Sequence, residues 1–300
     1  MDILQLVIVG IIVGSIIGLG AIGLTLTYGV MKFANFAHGD LMTLGMFLAF
    51  FIVADVGLEG GKIGPLSFGW GMLPAALFAM VGVAAAALLL DRLVFRPLRL
   101  RGGGIITMAV ASLGIGIGLR AVVQMIWGPS PTRYTSGINK AVTIFGEVKI
   151  QPDQFLIVAL TLVLAVAVYV LLYRTKLGKA MRATADNPTL AEVAGIETES
   201  VRRWVWVLGG ALIAVAGIML ALQAQLRFDA GFNLILPLFA ATILGGIGNP
   251  AGALVGGLIV GVSQEVSTEW IDTGLKPGVP FVILILMLLV RPRGLFGSSV

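Results

Sequence analysis

Apolar residues fall along this chain in long unbroken blocks, not in the alternation of a half-buried strand or the one-sided spacing of a soluble helix. Charge-free stretches cover residues 4–31, 41–54, 65–90, 102–127, 154–173, 204–226, 230–264 and 277–290, with Arg120 the one charge inside the fourth. A bilayer crossing takes about 20 apolar residues, fewer where a helix is broken. The stretch 230–264 is too long for one crossing and carries Gly245, Gly246, Gly248, Asn249 and Pro250 in its middle, which predicts two short helices joined by a tight turn. The pattern therefore predicts an all-α integral membrane protein, one domain over 1–300, with eight or nine transmembrane or broken membrane helices. The first block follows Asp2 and is longer than the apolar core of a signal peptide, so it is expected to be retained as a span.

Composition strengthens this picture. Of 300 residues 58% are hydrophobic and 12% charged, with mean hydropathy +1.03, against roughly 25% charged in soluble domains. The absence of Cys excludes disulfides and thiol chemistry, and a single His leaves no basis for a His-built metal site. The net charge of +5 sits in short segments between apolar blocks, so it speaks for membrane orientation and against nucleic acid as a partner. The loop 91–101 (Arg92, Arg96, Arg99, Arg101), the loop 174–203 (Arg174, Lys176, Lys179, Arg182, Arg202, Arg203) and the tail (Arg291, Arg293) are expected in the cytoplasm, with the C-terminus there as well. The opposite loops carry Asp55, Glu59, Glu147, Asp153, Glu265, Glu269 and Asp272. Segment 128–153 is then external, either a plain connection or, from the alternation over 141–150, a small β-hairpin or cap.

Three constellations stand out. In Asn35-Phe36-Ala37-His38-Gly39-Asp40, between two apolar blocks, Asp40 is expected to cap a helix beginning at Leu41. It is either a cytoplasmic turn or a break lining a translocation path, since polar groups in hydrocarbon must face protein or water. The second, 243–250, pairs Gly246 and Gly248 with Asn249 as cap and Pro250 at a first helical position, a second candidate break on such a path. It is not a phosphate loop, because no Gly-Lys-Ser or Gly-Lys-Thr follows it there or anywhere in the chain. The third lies in the loop 174–203. Asn187 caps, Pro188 opens, and Gly195 ends a helix of barely two turns whose Leu190, Val193 and Ala194 share a face. So short a helix is unstable alone in water; it packs on its own membrane helices, on lipid headgroups or on a partner protein.

The segments Gly14-Ser15-Ile16-Ile17-Gly18-Leu19, Gly23-Leu24-Thr25-Leu26-Thr27-Tyr28-Gly29-Val30 and Asn35–40, then Leu177-Gly178-Lys179-Ala180-Met181-Arg182-Ala183, Asp186-Asn187 and Ala194-Gly195-Ile196, and finally 243–250 with Gly252, Gly256 and Gly257, resemble LivH-type permeases of branched-chain amino-acid ABC importers. The resemblance runs along essentially the whole chain in order. It implies an ABC importer permease fold in a bacterial cytoplasmic membrane. It also implies a second, homologous permease subunit, two cytoplasmic ATPase subunits that bind ATP and Mg, and an external solute-binding protein. The short helix at 187–195 would couple ATP hydrolysis to the membrane domain. No cofactor, metal or catalytic residue is expected in this chain itself. The wider family also moves urea, short amides and polar amino acids, so the resemblance leaves the solute open. An ion-coupled secondary transporter is the rival, and it is disfavoured because the spans hold almost no carboxylates.

Overall fold

The computed structural model describes residues 3–134, 142–144 and 148–297. Its helices are α1 (Ile3–Met31), α2 (His38–Phe50, prolonged by a wider turn over Phe51–Asp55), α3 (Met72–Leu90), α4 (Arg96–Leu100), α5 (Ile105–Trp127), α6 (Pro152–Arg174), α7 (Lys176–Asp186), α8 (Pro188–Val193), α9 (Thr198–Gln223), α10 (Ala230–Gly245), α11 (Pro250–Ser267) and α12 (Val279–Val290). Among the described residues, seven helical stretches are long and apolar enough to cross a bilayer, and α10 is a shorter apolar one. The long stretch 230–264 divides as its glycines predict, into α10 and α11. Strands Val142–Ile144 and Val148–Ile150 pair antiparallel, as the alternation there predicts, whereas 135–141 and Glu147 lie outside the described residues.

Burial separates an inner bundle from an outer shell. In α1 and α9, 72% of the most apolar window is buried, against 17% in α5 and 6% in the stretch ending in α12. The centre is the pair α1–α11, flanked by α2, α9 and α10. Small residues set that contact. A Cβ on Gly10 would come within 2.6 Å of the Val262 backbone, and one on Gly14 within 2.8 Å of Leu258, while Gly257 and Gly261 lie against Gly18 and Gly14 in turn. Between membrane helices, where lipid is as apolar as leucine, such close approach is what dispersion forces require. The glycines at four-residue spacing thus pack neighbours within the chain.

Two expectations are corrected. The second helix begins at His38 with Ala37 at its cap position, not at Leu41, and Asp40 lies inside its first turn without capping it. Asp40 is drawn away by a cation from elsewhere in the chain, described below. Residues 91–101 are also not a loop. The helix of α3 runs on through Asp91–Phe95 into α4, and Met72–Leu100 is continuous helix. The charges are tolerated because Arg99 reaches back to Asp91 (Nη1 to Oδ1, 2.7 Å), leaving Asp91 buried and paired. The same end of the bundle receives the start of α9, where Glu199 takes Arg96 and Arg99 at 3.6 Å each.

Candidate functional site: two helix starts inside the bundle

After α1 ends at Met31, residues 32–37 turn back into the bundle. His38 Nε2 donates to the Gly20 carbonyl at 3.2 Å, about 16 Å along α1 from its end at 1.5 Å per residue. The N-terminus of α2 therefore lies well inside the membrane layer. The chain does the same after α9: α10 starts at Ala230 beside α2, about 22 Å along its own axis from Gly245. The two starts meet at Gly39 and Gly231. A Cβ on either would fall inside van der Waals contact of the other's backbone, and the Gly231 N–H donates to Thr43 Oγ1 at 3.0 Å. Asn35, His38 and Asp40 are 1–2% exposed. The Asn35 side-chain oxygen accepts from the Ala37 N–H, while its Nδ2 is buried without a hydrogen-bond partner.

Asp40 is held by Arg120 of α5. Nε donates to Oδ1 at 3.0 Å and Nη2 to Oδ2 at 3.3 Å. The Arg120 guanidinium carbon lies 3.8 Å from the centre of the Phe232 ring of α10. One ion pair and one cation–π contact thus join α2, α5 and α10 where the two starts meet. Gly116, one turn before Arg120, makes room, since a Cβ there would press on the Asp40 carboxylate. The sequence marks Arg120 as the lone charge of its block, but nothing in it joins that charge to a carboxylate 80 residues away.

A cavity of about 620 Å³ opens where α9 gives way to α10, lined by Arg133, Gln151, Gln223, Arg227 and Asn233. Asn233 follows Phe232 on α10, so the cavity lining and the cation–π contact are one residue apart along that helix, although Phe232, Arg120 and Asp40 do not themselves line the cavity. In the link between α9 and α10, Arg227 donates from Nε and Nη2 to Asp229, 3.0 Å each, and these bonds hold the Asp229 carboxyl below its ordinary pKa.

The second break lies elsewhere, at the end of the bundle where α1 finishes. Gly246 has a left-handed φ of +99°, Asn249 Oδ1 caps α11 through the Gly252 N–H, and Asn249 Nδ2 donates to the Phe296 carbonyl of the C-terminal tail. The Gly248 N–H donates to Thr25 of α1. Gly246 and Asn249 are thus not brought together with Asn35, His38, Gly39 and Asp40.

The short helix α8 has the caps its sequence specifies. Asn187 Oδ1 accepts from the Leu190 N–H at 3.0 Å, Pro188 opens the helix, and Gly195 closes it at φ +86°. Ala191 alone is buried in it, while Leu190 and Val193 are 64% and 81% exposed, and Ala194 is exposed beside them. The helix α7 before it is not singled out by the charge pattern. Its signals are Thr175, which caps Gly178, and the buried Met181 and Thr184.

These features define a polytopic helical transport protein with helix starts inside the membrane layer. The profile of the family described as "Branched-chain amino acid transport system / permease component" matches residues 6–290. The high-affinity branched-chain amino acid transport system permease protein BraD of Pseudomonas aeruginosa is 32% identical over 98% of this chain and 95% of its own. LivH of Escherichia coli is 30% identical over the same shares, and a probable LivH of Methanocaldococcus jannaschii is 31% identical over 96% and 90%. A chain of PsaBC from Streptococcus pneumoniae in complex with Fab aligns over 99% of this chain and 94% of its own, with TM-score 0.49 and 13% identity, too remote a likeness to argue from. The chain belongs to the permease-component family of branched-chain amino acid transport systems.

Proposed function

We propose that this chain is the membrane-spanning permease subunit of an ATP-driven importer of branched-chain or related neutral or polar amino acids. The observation that carries the reading is α8, a fully capped helix of six residues that turns Leu190, Val193 and Ala194 outward. Burying one such Leu or Val side chain is worth about 1.5–3 kcal/mol, and a partner surface is the means of recovering it. In this reading residues 187–195 dock on one of two cytoplasmic ATPase subunits, which bind ATP and Mg and do the hydrolysis. A second, homologous permease completes the path, and an external binding protein delivers the solute. The basic segments and the C-terminus then face the cytoplasm across a bacterial inner membrane, and residues 128–153 face outside. The break with Asn35, His38, Gly39 and Asp40 frames the path from behind, its side chains covered in this conformation. The turn with Gly246 and Asn249 is assigned to the cytoplasmic end of that path.

Purification in mild detergent, with mass identification of what accompanies the chain, tests the assembly. Single cysteines at the exposed Arg101 and Arg182 test its orientation. Both are expected to react with impermeant thiol reagents only from the cytoplasmic face, and labelling in intact cells would reverse the topology. Reconstituted with its partners, the complex is expected to accumulate amino acids. Accumulation of urea or short amides instead would replace the solute class while leaving the transport reading in place.

A further inference from the structure

The geometry points to Arg120 as the residue on the translocation path that receives the carboxylate of the passing solute, with Asp40 and Phe232 as its positioning residues. This rests on the permease reading above and gives it a specificity element. A guanidinium within a span must face protein or a water-filled route, and the structure answers how this one is satisfied. Asp40 occupies only the side-on edge, Nε and Nη2. Of the five N–H donors of an arginine, both on Nη1 and one on Nη2 make no hydrogen bond among the described residues. That end-on edge is the geometry that takes a second carboxylate in two parallel bonds. The guanidinium carbon lies over the Phe232 ring, and the Arg120 side chain keeps 20% exposure where Asp40 keeps 2%. Asp40 therefore orients and neutralises, and Arg120 presents.

The surroundings agree with passage of a solute. The pair sits beside the helix starts of α2 and α10, and the next residue of α10, Asn233, lines the cavity. Phe232 itself is 43% exposed, so part of the apolar ring that meets the cation stays open. An anionic head on an apolar body is the chemistry such a site accepts.

The test uses the full complex with its ATPases and binding protein in proteoliposomes, following amino-acid uptake per ATP hydrolysed. Replacing both charges, D40L with R120M, removes the pair without stranding either partner, an exchange that is often neutral for stability. The double variant is expected to assemble and to move at least tenfold fewer solutes per ATP. R120K keeps a cation for Asp40 but no fork, and is expected to lose five- to tenfold with an unchanged melting temperature. Wild-type transport per ATP in the double variant would make the pair a structural strut and overturn the proposal. If the double variant fails to assemble, R120K decides, and wild-type transport there overturns it as well. Failure of the wild-type complex to accumulate any amino acid would instead count against the solute class proposed above.

Discussion

The break at 35–40 and the helix at 187–195 invert the ordinary partition of residues in opposite senses. At the break, an amide, an imidazole and a carboxylate are 1–2% exposed inside a bundle of apolar helices. At α8, a leucine and a valine are 64% and 81% exposed, inside the charged stretch 174–203. Single exposed apolar residues are common, but here they sit on a helix too short to persist unaided that is capped at both ends. Buried polar groups are likewise tolerated when paired, and Asp40 and His38 are. Asn35 Nδ2 is not. Each inversion carries a cost that folding alone does not explain; α8 is held by local caps, the break by partners brought from elsewhere in the chain. The difference lies in what resolves it: at the break the chain itself supplies partners for Asp40 and His38, whereas at α8 the function proposed above calls on another molecule.

The largest effect is expected where resolution depends on another molecule. Leu190→Asp, with Val193→Asp as a second probe, is expected to abolish solute-stimulated ATP hydrolysis and to release the ATPase on purification. A carboxylate forced into an apolar groove costs several kcal/mol, which a contact of two turns cannot absorb. Insertion of the chain is expected to be unchanged, because the site lies outside every span. Full activity with the ATPase retained in both variants would make α8 an ordinary surface helix and erase one half of the comparison.

The two regions also differ in how far the sequence reveals them. At 187–195 everything is local. Asn187, Pro188 and Gly195 each act within a few residues, so caps, bounds and apolar face can be read from the spacing alone. At 35–40 the decisive partner is distant. A carboxylate just ahead of an apolar run reads as a cap, and only the fold brings Arg120 across 80 residues to claim it. The same holds at 91–101, where charges read as a loop but an Asp91–Arg99 pair lets the helix continue. The spans were legible because lipid imposes a length and forbids free charge; which helix start meets which was not, because glycines such as Gly39 and Gly231 look alike until packed.

An intermediate effect is expected from breaking the pair at the first region. Asp40→Asn leaves the Arg120 cation uncompensated inside the bundle, and removing one partner of a buried pair costs about 3–5 kcal/mol. The purified protein is expected to melt several degrees lower at pH 7, and D40L with R120M is expected to recover most of that loss. Equal melting of D40N and wild type would mean that water already reaches the pair, making it a solvated feature and removing the contrast with α8 from the other side.

The smallest effect sharpens the comparison through a pair of the same chemistry in a different place. Arg227 and Asp229 join through two hydrogen bonds of 3.0 Å, much as Arg120 and Asp40 do, but their side chains are 52% and 23% exposed against 20% and 2%. Water screens such a pair and already solvates both ions, so its net worth is small. The Arg227 hydrogen bonds hold the Asp229 carboxyl below its ordinary pKa. A depressed carboxylate contributes stability that is fully present above its unfolded pKa, near 4, and is lost only as pH falls through the lower folded value. Between pH 6 and 8 the pair therefore stays ionised and adds no slope to stability. Asp229→Asn is expected to leave the melting temperature at pH 7 within experimental error of wild type, and to leave its pH dependence flat over that interval. Should D229N lose as much as D40N, burial would not be what separates the two pairs, and the weight placed on the helix starts of α2 and α10 would have to move outward to the cavity that Arg227 lines.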